Sequence, residues 1–163
     1  MTRSDLDKID QLQMTGQYPA ALAIVDLALS TDPVDLDALL ARITILRNAK
    51  LLDAAKSAIE ATAPVIADAG NAIAEADFAY ERGCFILQQA GRLAEALECF
   101  RDAVRAGSDN VDHCSAMCST LCWLDRYDEA IEWRQKILHM RAAEVDCAPE
   151  DVITAGRPKE FDP

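Results

Sequence analysis

Soft metal ligands are concentrated in one short stretch of the sequence, which holds His113, Cys114, Met117, Cys118 and Cys122. Imidazole, thiolate and thioether groups are the ligands of soft and borderline metals. On a helix the outer two cysteines would lie about 12 Å apart along the axis, too far to share a metal with Zn–S bonds of ~2.3 Å. A metal or thiol-redox sensor at Cys114 and Cys118 is one interpretation. Because cysteine also packs as a small apolar residue, we predict core positions, with no metal site and no cofactor.

Paired acidic residues are the second candidate for chemistry, since two carboxyl groups can divide the roles of general acid and base. Glu95 with Glu98 and Asp128 with Glu129 have a suitable spacing, but arginines flank both pairs. Solvated ion pairs explain them better. The hydroxyl side chains that follow His113 lack a positioned base and an oxyanion site. Without a glycine-rich phosphate loop or zinc-finger spacing, the sequence predicts no enzyme.

The elements that would position these residues are visible as a repeat. Residues 80–106 and 114–140 align at an offset of 34, which is the period of a helix–turn–helix repeat. Each unit reads as two amphipathic helices around a short break. The residue pairs that this alignment superimposes are Gly91 with Asp125, Arg92 with Arg126, Leu93 with Tyr127, Glu95 with Glu129, Ala96 with Ala130, Leu97 with Ile131 and Glu98 with Glu132.

This pattern resembles the tetratricopeptide repeat family, which alternates large and small residues on the first helix and places alanines around an aromatic residue on the second. The residues that match are Tyr80, Cys84, Leu87, Gly91, Leu93, Ala96, Phe100 and Ala103, then Cys114, Cys118, Leu121, Asp125, Tyr127, Ala130 and Ile137. Two weaker copies precede them. Their key alanines, Ala21 and Ala54, continue to Ala96 and Ala130 at intervals of 33, 42 and 34 residues. We place the extra residues of the middle interval in 62–70.

The resemblance implies an all-α fold, a right-handed α–α superhelix of about four helix hairpins over residues 1–141. Eight helices are expected, with Ser4 capping the first and Pro64 kinking or ending the fourth. The irregular tail, residues 142–163, either covers the last hairpin or links to a further domain. Its closing segment RPKEFDP resembles linkers between bacterial tetratricopeptide arrays and glycosyltransferase-like domains.

The composition restricts the classes of molecule that the protein is expected to bind. A net charge of −12 disfavours nucleic acid and anionic membranes. The sequence shows no signal peptide and no apolar run of membrane-spanning length. Its six cysteines fall mostly on predicted helix positions, which suits a reducing compartment. We therefore predict a cytoplasmic protein of bacterial style whose partner is a protein or peptide and whose oligomeric state is open.

The concave surface is the predicted binding site, because in the family it resembles the first helix of each hairpin lines a groove for peptides or partner helices. The main hypothesis is an adaptor or scaffold that binds such a segment; the alternative is the non-catalytic targeting domain of a larger enzyme. The residues that the resemblance assigns to this groove are Leu39, Ile43, Phe78, Glu81, Arg82, Phe85, Gln89, Ser115, Ser119 and Trp123.

Overall fold

The computed structural model describes residues 1–89, 92–106 and 110–146, the last four by their backbone only. Every regular element in these ranges is a helix, and successive helices pack side by side. The fold is a right-handed α–α superhelix of four helix hairpins. The helices are α1 (Arg3–Met14), α2 (Tyr18–Thr31), α3 (Leu36–Asn48), α4 (Leu52–Ala69), α5 (Ala72–Leu87), α6 (Leu93–Arg105), α7 (Val111–Trp123) and α8 (Tyr127–Asp146).

Small side chains let the helices of each hairpin approach closely. Ala96 and Ala130 are both buried, as the repeat predicts. Gly83 of α5 faces the ring of Phe100 on α6, and a Cβ atom at Gly83 would lie only 2.5 Å from the Phe100 Cε1 atom. The close contact of α5 with α6 therefore requires glycine at this position.

The turns inside the hairpins correct the predicted alignment of the second repeat. Gly16, Lys50 and Asp125 all have a positive φ, and each precedes the buried alanine of its second helix by five residues. In the second hairpin that alanine is Ala55, whereas the predicted Ala54 is exposed. The alignment was one residue early because the turn position holds a lysine, which gives no glycine signal in the sequence.

The corrected register makes the interval from Ala55 to Ala96 seven residues longer than the 34-residue period. Seven residues are about two helical turns, so the insertion preserves the buried face of both helices. It was predicted within 62–70, but α4 with 18 residues and α5 with 16 share it. Helix α4 continues through Pro64 and ends at Gly70. The insertion therefore lengthens the two helices through which the second hairpin continues into the third.

Two predicted helix ends also differ from the structure. Thr2, not Ser4, caps α1, because its hydroxyl oxygen accepts a hydrogen bond from the Asp5 backbone N–H and the Asp5 carboxylate accepts one from the Thr2 backbone N–H. Helix α8 continues to Asp146, past the expected boundary at residue 141. The predicted turn at Gly91 and the tail from residue 147 onward lie outside the described residues. None of the described helices is both long enough and apolar enough to span a membrane.

The core is a series of side-chain clusters along the stack. The N-terminal cluster consists of Ile9, Ala21, Val25, Ala38 and Ile45. The C-terminal cluster consists of Ala96, Leu97, Phe100, Met117, Leu121 and Ala130. Two smaller clusters lie between them where α3, α4 and α5 meet. This serial arrangement is typical of repeat proteins, in which each hairpin contacts only its neighbours.

Candidate functional site

The first helices of all four hairpins meet along one groove, with a volume of about 290 Å³. Helices α1, α3 and α5 provide most of its walls, and α7 enters at one end. The residues that line this concave groove are Leu6, Ile9, Asp10, Gln13, Asp37, Leu40, Ala41, Thr44, Asp77, Tyr80, Glu81, Asn110 and His113. A surface shared by four consecutive hairpins is suited to an elongated guest.

An aromatic and acidic group forms the α5–α7 end of the groove. The imidazole of His113 is buried, and its Nε2 atom lies 3.2 Å from the Asp77 Oδ1 atom. The ring of Tyr80 stacks on that imidazole with 4.6 Å between centroids. Burial is the main cause that raises the pKa of the Tyr80 hydroxyl. Tyr80 is therefore a neutral hydrogen-bonding and stacking group at neutral pH.

Polar contacts between the first helices hold the groove's shape. The Arg47 guanidinium on α3 donates through Nε to the Glu81 carboxylate on α5 at 3.0 Å, with both side chains largely buried. On the other side, the Asn48 amide donates to the Gln13 side chain at 3.0 Å. A buried ion pair is costly to break, because one charge is then left without its partner. The main role of Glu81 is therefore structural, as the partner of Arg47.

The open part of the groove is acidic. Asp10 and Asp37 are exposed, and Asp77 is half-buried. None of the lining residues that the structure describes is a lysine or arginine. Since these carboxylates line one groove and none of its described lining residues is a lysine or arginine, they give the groove a negative potential that favours a cationic guest.

Three predicted groove residues belong to the core. Ile43 and Phe78 pack together in one cluster, and Phe85 packs in the next, against Ala55 of α4. Phe78 and Phe85 keep only 6% and 7% of their surface exposed. Both rings are buried because α5 contacts α3 and α4 through the face that carries them. The resemblance predicts that this face lines the groove.

The other predicted residues are divided among several surfaces. Glu81 alone lines the concave groove. The Arg82 guanidinium is exposed and lies 5.9 Å from the centre of the Phe78 ring, while the Gln89 side chain accepts a hydrogen bond from Arg92 at 2.6 Å. Leu39 is half-buried on α3. These four residues therefore do not form a single site.

The predicted residues of α7 lie at the end of the stack. Ser115 and Ser119 line a second groove, between α7 and α8, and Trp123 is exposed beyond it. Most of the predicted residues lie on α3, α5 and α7, which form the concave groove, but among them only Glu81 lines it. One residue of helix turns a side chain by about 100°, so a small difference in repeat register moves a residue from groove to core. Tyr80, which the repeat pattern marks as a large residue of the first helix, both packs against the C-terminal cluster and lines the groove.

Four of the five described cysteines are buried or partly buried between the helices. Cys99 and Cys114 are buried, and the Cys118 thiol donates to the Ala130 carbonyl oxygen at 3.3 Å. Burial raises the pKa of Cys84, Cys99 and Cys118. Among the described residues, no three His, Cys, Asp or Glu side chains come close enough to hold a metal ion.

Comparison with known proteins identifies the fold. No protein-family model and no curated protein matches the sequence. Among solved structures, MamA 41-end from Desulfovibrio magneticus RS-1 has a TM-score of 0.61 and 20% identity, covering 81% of this chain and 71% of that one. A MamA RS-1 double mutant has a TM-score of 0.60 and 19% identity, covering 88% and 79%. A further crystal structure of MamA has a TM-score of 0.60 and 16% identity, covering 82% and 74%. The chain thus shares with MamA the fold of a helical, tetratricopeptide-like solenoid.

Proposed function

We propose that the chain is a protein-interaction module, a scaffold or adaptor, that binds a basic segment of a partner protein along the concave groove. The observation that carries the proposal is that one acidic surface collects residues from the first helix of every hairpin. Repeat stacks commonly bind extended or helical segments on such surfaces. No described set of side chains supports catalysis instead.

The charge of the groove indicates which kind of segment it would bind. Asp10, Asp37 and Asp77 lie on three successive first helices, and Arg47 already pairs with Glu81. The carboxylates left to meet a guest are therefore those of the three aspartates, with Asp77 beside the His113 imidazole. A segment with lysines or arginines at intervals would meet these carboxylates in turn. Electrostatic attraction of this kind accelerates association and weakens with salt.

The apolar part of the groove suits the same guest. Leu6, Leu40 and Ala41 lie between the carboxylates, and Tyr80 presents a half-buried ring. Lysine and arginine side chains bury their aliphatic stems against such residues while the charged ends remain at the rim. The groove would then favour a segment that alternates basic and apolar residues over one that is only basic.

A pair of matched peptides tests this proposal. Both are helical, fluorescein-labelled and about four turns long. They share one leucine stripe, flanked by lysines in the first peptide and by glutamates in the second. The lysine peptide is expected to bind, measured by fluorescence anisotropy, and to weaken as salt rises. Asp10→Asn and Asp37→Asn should each weaken it about threefold, the effect of removing one partly screened ion pair.

Asp53→Asn is the matched control, since Asp53 is in the first turn of α4 as Asp37 is in the first turn of α3, but lies away from the groove. This variant should bind like the parent. Equal loss from Asp53→Asn, or lysine-peptide binding that neither Asp10→Asn nor Asp37→Asn weakens, would contradict groove recognition. A targeting role within a longer enzyme would use the same groove and stays a prediction.

A further inference from the structure

The last helix carries an apolar stripe that the described part of the chain leaves open. Tyr127, Ile131 and Leu138 are all more than half exposed. They are four and seven residues apart, a spacing that places them on one face of α8. A continuous apolar face of this kind on a protein surface marks a contact site more often than an isolated exposed leucine does.

The repeat itself shows what this face does elsewhere in the stack. One period earlier, Leu97 occupies the place of Ile131 on helix α6. Leu97 is 1% exposed and shares the C-terminal cluster with Met117 and Leu121 of α7, whereas Ile131 is 55% exposed. Likewise Val104 packs against that cluster, and its counterpart Leu138 is 58% exposed. The face that seats a helix on α6 is therefore repeated on α8 without a described occupant.

A groove between α7 and α8 completes this surface. Its volume is about 240 Å³. Its lining residues are Ser115, Cys118, Ser119, Arg134, Ile137, Leu138 and Arg141. The corresponding surface of the preceding hairpin, between α5 and α6, packs against α7. The shape of this surface therefore suits a helix.

The charges of this groove are opposite to those of the concave groove. Arg134 and Arg141 both line it, and no carboxylate does so among the described residues. Neither arginine forms an ion pair with a described residue. Arg134 occupies the repeat position of Phe100, so a buried aromatic ring is replaced by an exposed cation. In a chain of net charge −12, this local reversal favours an occupant that brings carboxylates.

Helix α8 also differs from α6 in length. It has 20 residues, whereas α6 has 13 and ends at Arg105, whose counterpart one period later is His139. The backbone remains helical to Asp146, about 10 Å beyond that point. The chain is thus still helical at positions where the preceding repeat has already left α6.

We propose that the α7–α8 face docks an amphipathic helix from a partner protein, with an apolar stripe on Ile131 and Leu138 and carboxylates facing Arg134 and Arg141. This docking site is separate from the concave groove and selects the opposite charge. The chain would then hold two partners at once, a basic segment on its concave side and an acid-flanked helix at its C-terminal end.

The glutamate-flanked peptide described above is the probe for this face, measured by anisotropy on the full chain. It is expected to bind, and Ile131→Asp and Leu138→Asp should each weaken it at least tenfold. Leu27→Asp is the matched control, since Leu27 is likewise more than half exposed but lies on α2. The double variant Arg134→Glu, Arg141→Glu should reverse the preference, so that the lysine peptide binds this face better. Circular dichroism checks that all variants are folded.

Other results would contradict this proposal and leave the proposal for the concave groove unaffected. Glutamate-peptide binding that the double variant Arg134→Glu, Arg141→Glu leaves unchanged, or that Leu27→Asp weakens as much as Ile131→Asp does, would exclude a charge-selective face. A dimer in light scattering that Ile131→Asp dissociates would assign the face to a second copy of the chain. Tighter peptide binding after Val152→Asp and Ile153→Asp would assign it to the chain's own C-terminal segment. The Asp10→Asn and Asp37→Asn variants should leave binding of the glutamate peptide unchanged or slightly tighter.

Discussion

At the residue scale, small side chains decide how closely the helices of a hairpin approach. Ala96 and Ala130 do this where the repeat predicts them. Gly83 does it opposite Phe100, because the ring of Phe100 fills the space that a Cβ atom would need. A substitution at Gly83 is therefore expected to disturb the packing of α5 on α6 more than a substitution at an ordinary helix position would.

Gly83→Ala should lower the free energy of unfolding by about 1–3 kcal/mol, because the new methyl group overpacks against Phe100. The higher helix propensity of alanine would offset this by about 1 kcal/mol. Urea denaturation followed by circular dichroism gives the value. Adding Phe100→Leu should make the glycine substitution much less costly than it is alone, since leucine vacates the contacted space. If the two effects simply add, the contact does not explain the loss.

The cysteines give a second prediction at this scale. Burial raises the pKa of Cys84, Cys99 and Cys118, which lowers the fraction of thiolate at neutral pH. Cys122 is exposed. Iodoacetamide at neutral pH should thus modify Cys122 first among the cysteines that the structure describes, as mass spectrometry of digested protein would show. Raising the pH should accelerate modification of Cys118 in the folded protein; early modification of Cys99 would contradict the packing.

At the element scale, the position of each turn fixes which face of the following helix is buried. Gly16, Lys50 and Asp125 occupy equivalent places with positive φ, yet only the first is a glycine. From sequence, the Gly16 and Asp125 repeats could be aligned because aromatic residues and alanines follow at the right spacing. The second hairpin could not, since Lys50 and Leu52 resemble ordinary helical residues. The repeat register of the second hairpin is seen only in the structure, from the positive φ at Lys50.

Lys50→Gly should raise the free energy of unfolding by about 0.5–1 kcal/mol, because glycine adopts the left-handed conformation without steric cost. Thermal and urea unfolding would both show the gain. The control is the neighbouring Ala49→Gly, whose φ of −70° is right-handed and which should lose a similar amount. A loss at both positions would mean that the lysine side chain stabilises the turn by contacts of its own.

At the scale of the whole molecule, the fold is a row of clusters, and this limits what the sequence could reveal of the site. The 34-residue period predicted the hairpins and their order. It could not predict that the seven extra residues of the α4–α5 pair would bury Phe78 and Phe85, because that contact depends on two lengthened helices meeting α3. The concave groove is formed by residues that are distant in sequence, and its charge appears only when three hairpins are stacked.

The same row of clusters predicts that the two ends of the molecule unfold with some independence. Both tryptophans, Trp123 and Trp133, belong to the last hairpin, whereas circular dichroism reports on all helices. Ile9→Ala, in the N-terminal cluster, should cost about 2–5 kcal/mol locally and shift the circular dichroism transition to lower urea while tryptophan fluorescence changes little. Met117→Ala, a matched truncation in the C-terminal cluster, should shift the fluorescence transition instead.

Coincident shifts of both signals in both variants would show that the stack unfolds as one cooperative unit. Separate shifts would show that the N-terminal and C-terminal clusters unfold independently, so a partner bound at the α7–α8 face would stabilise mainly the last hairpins.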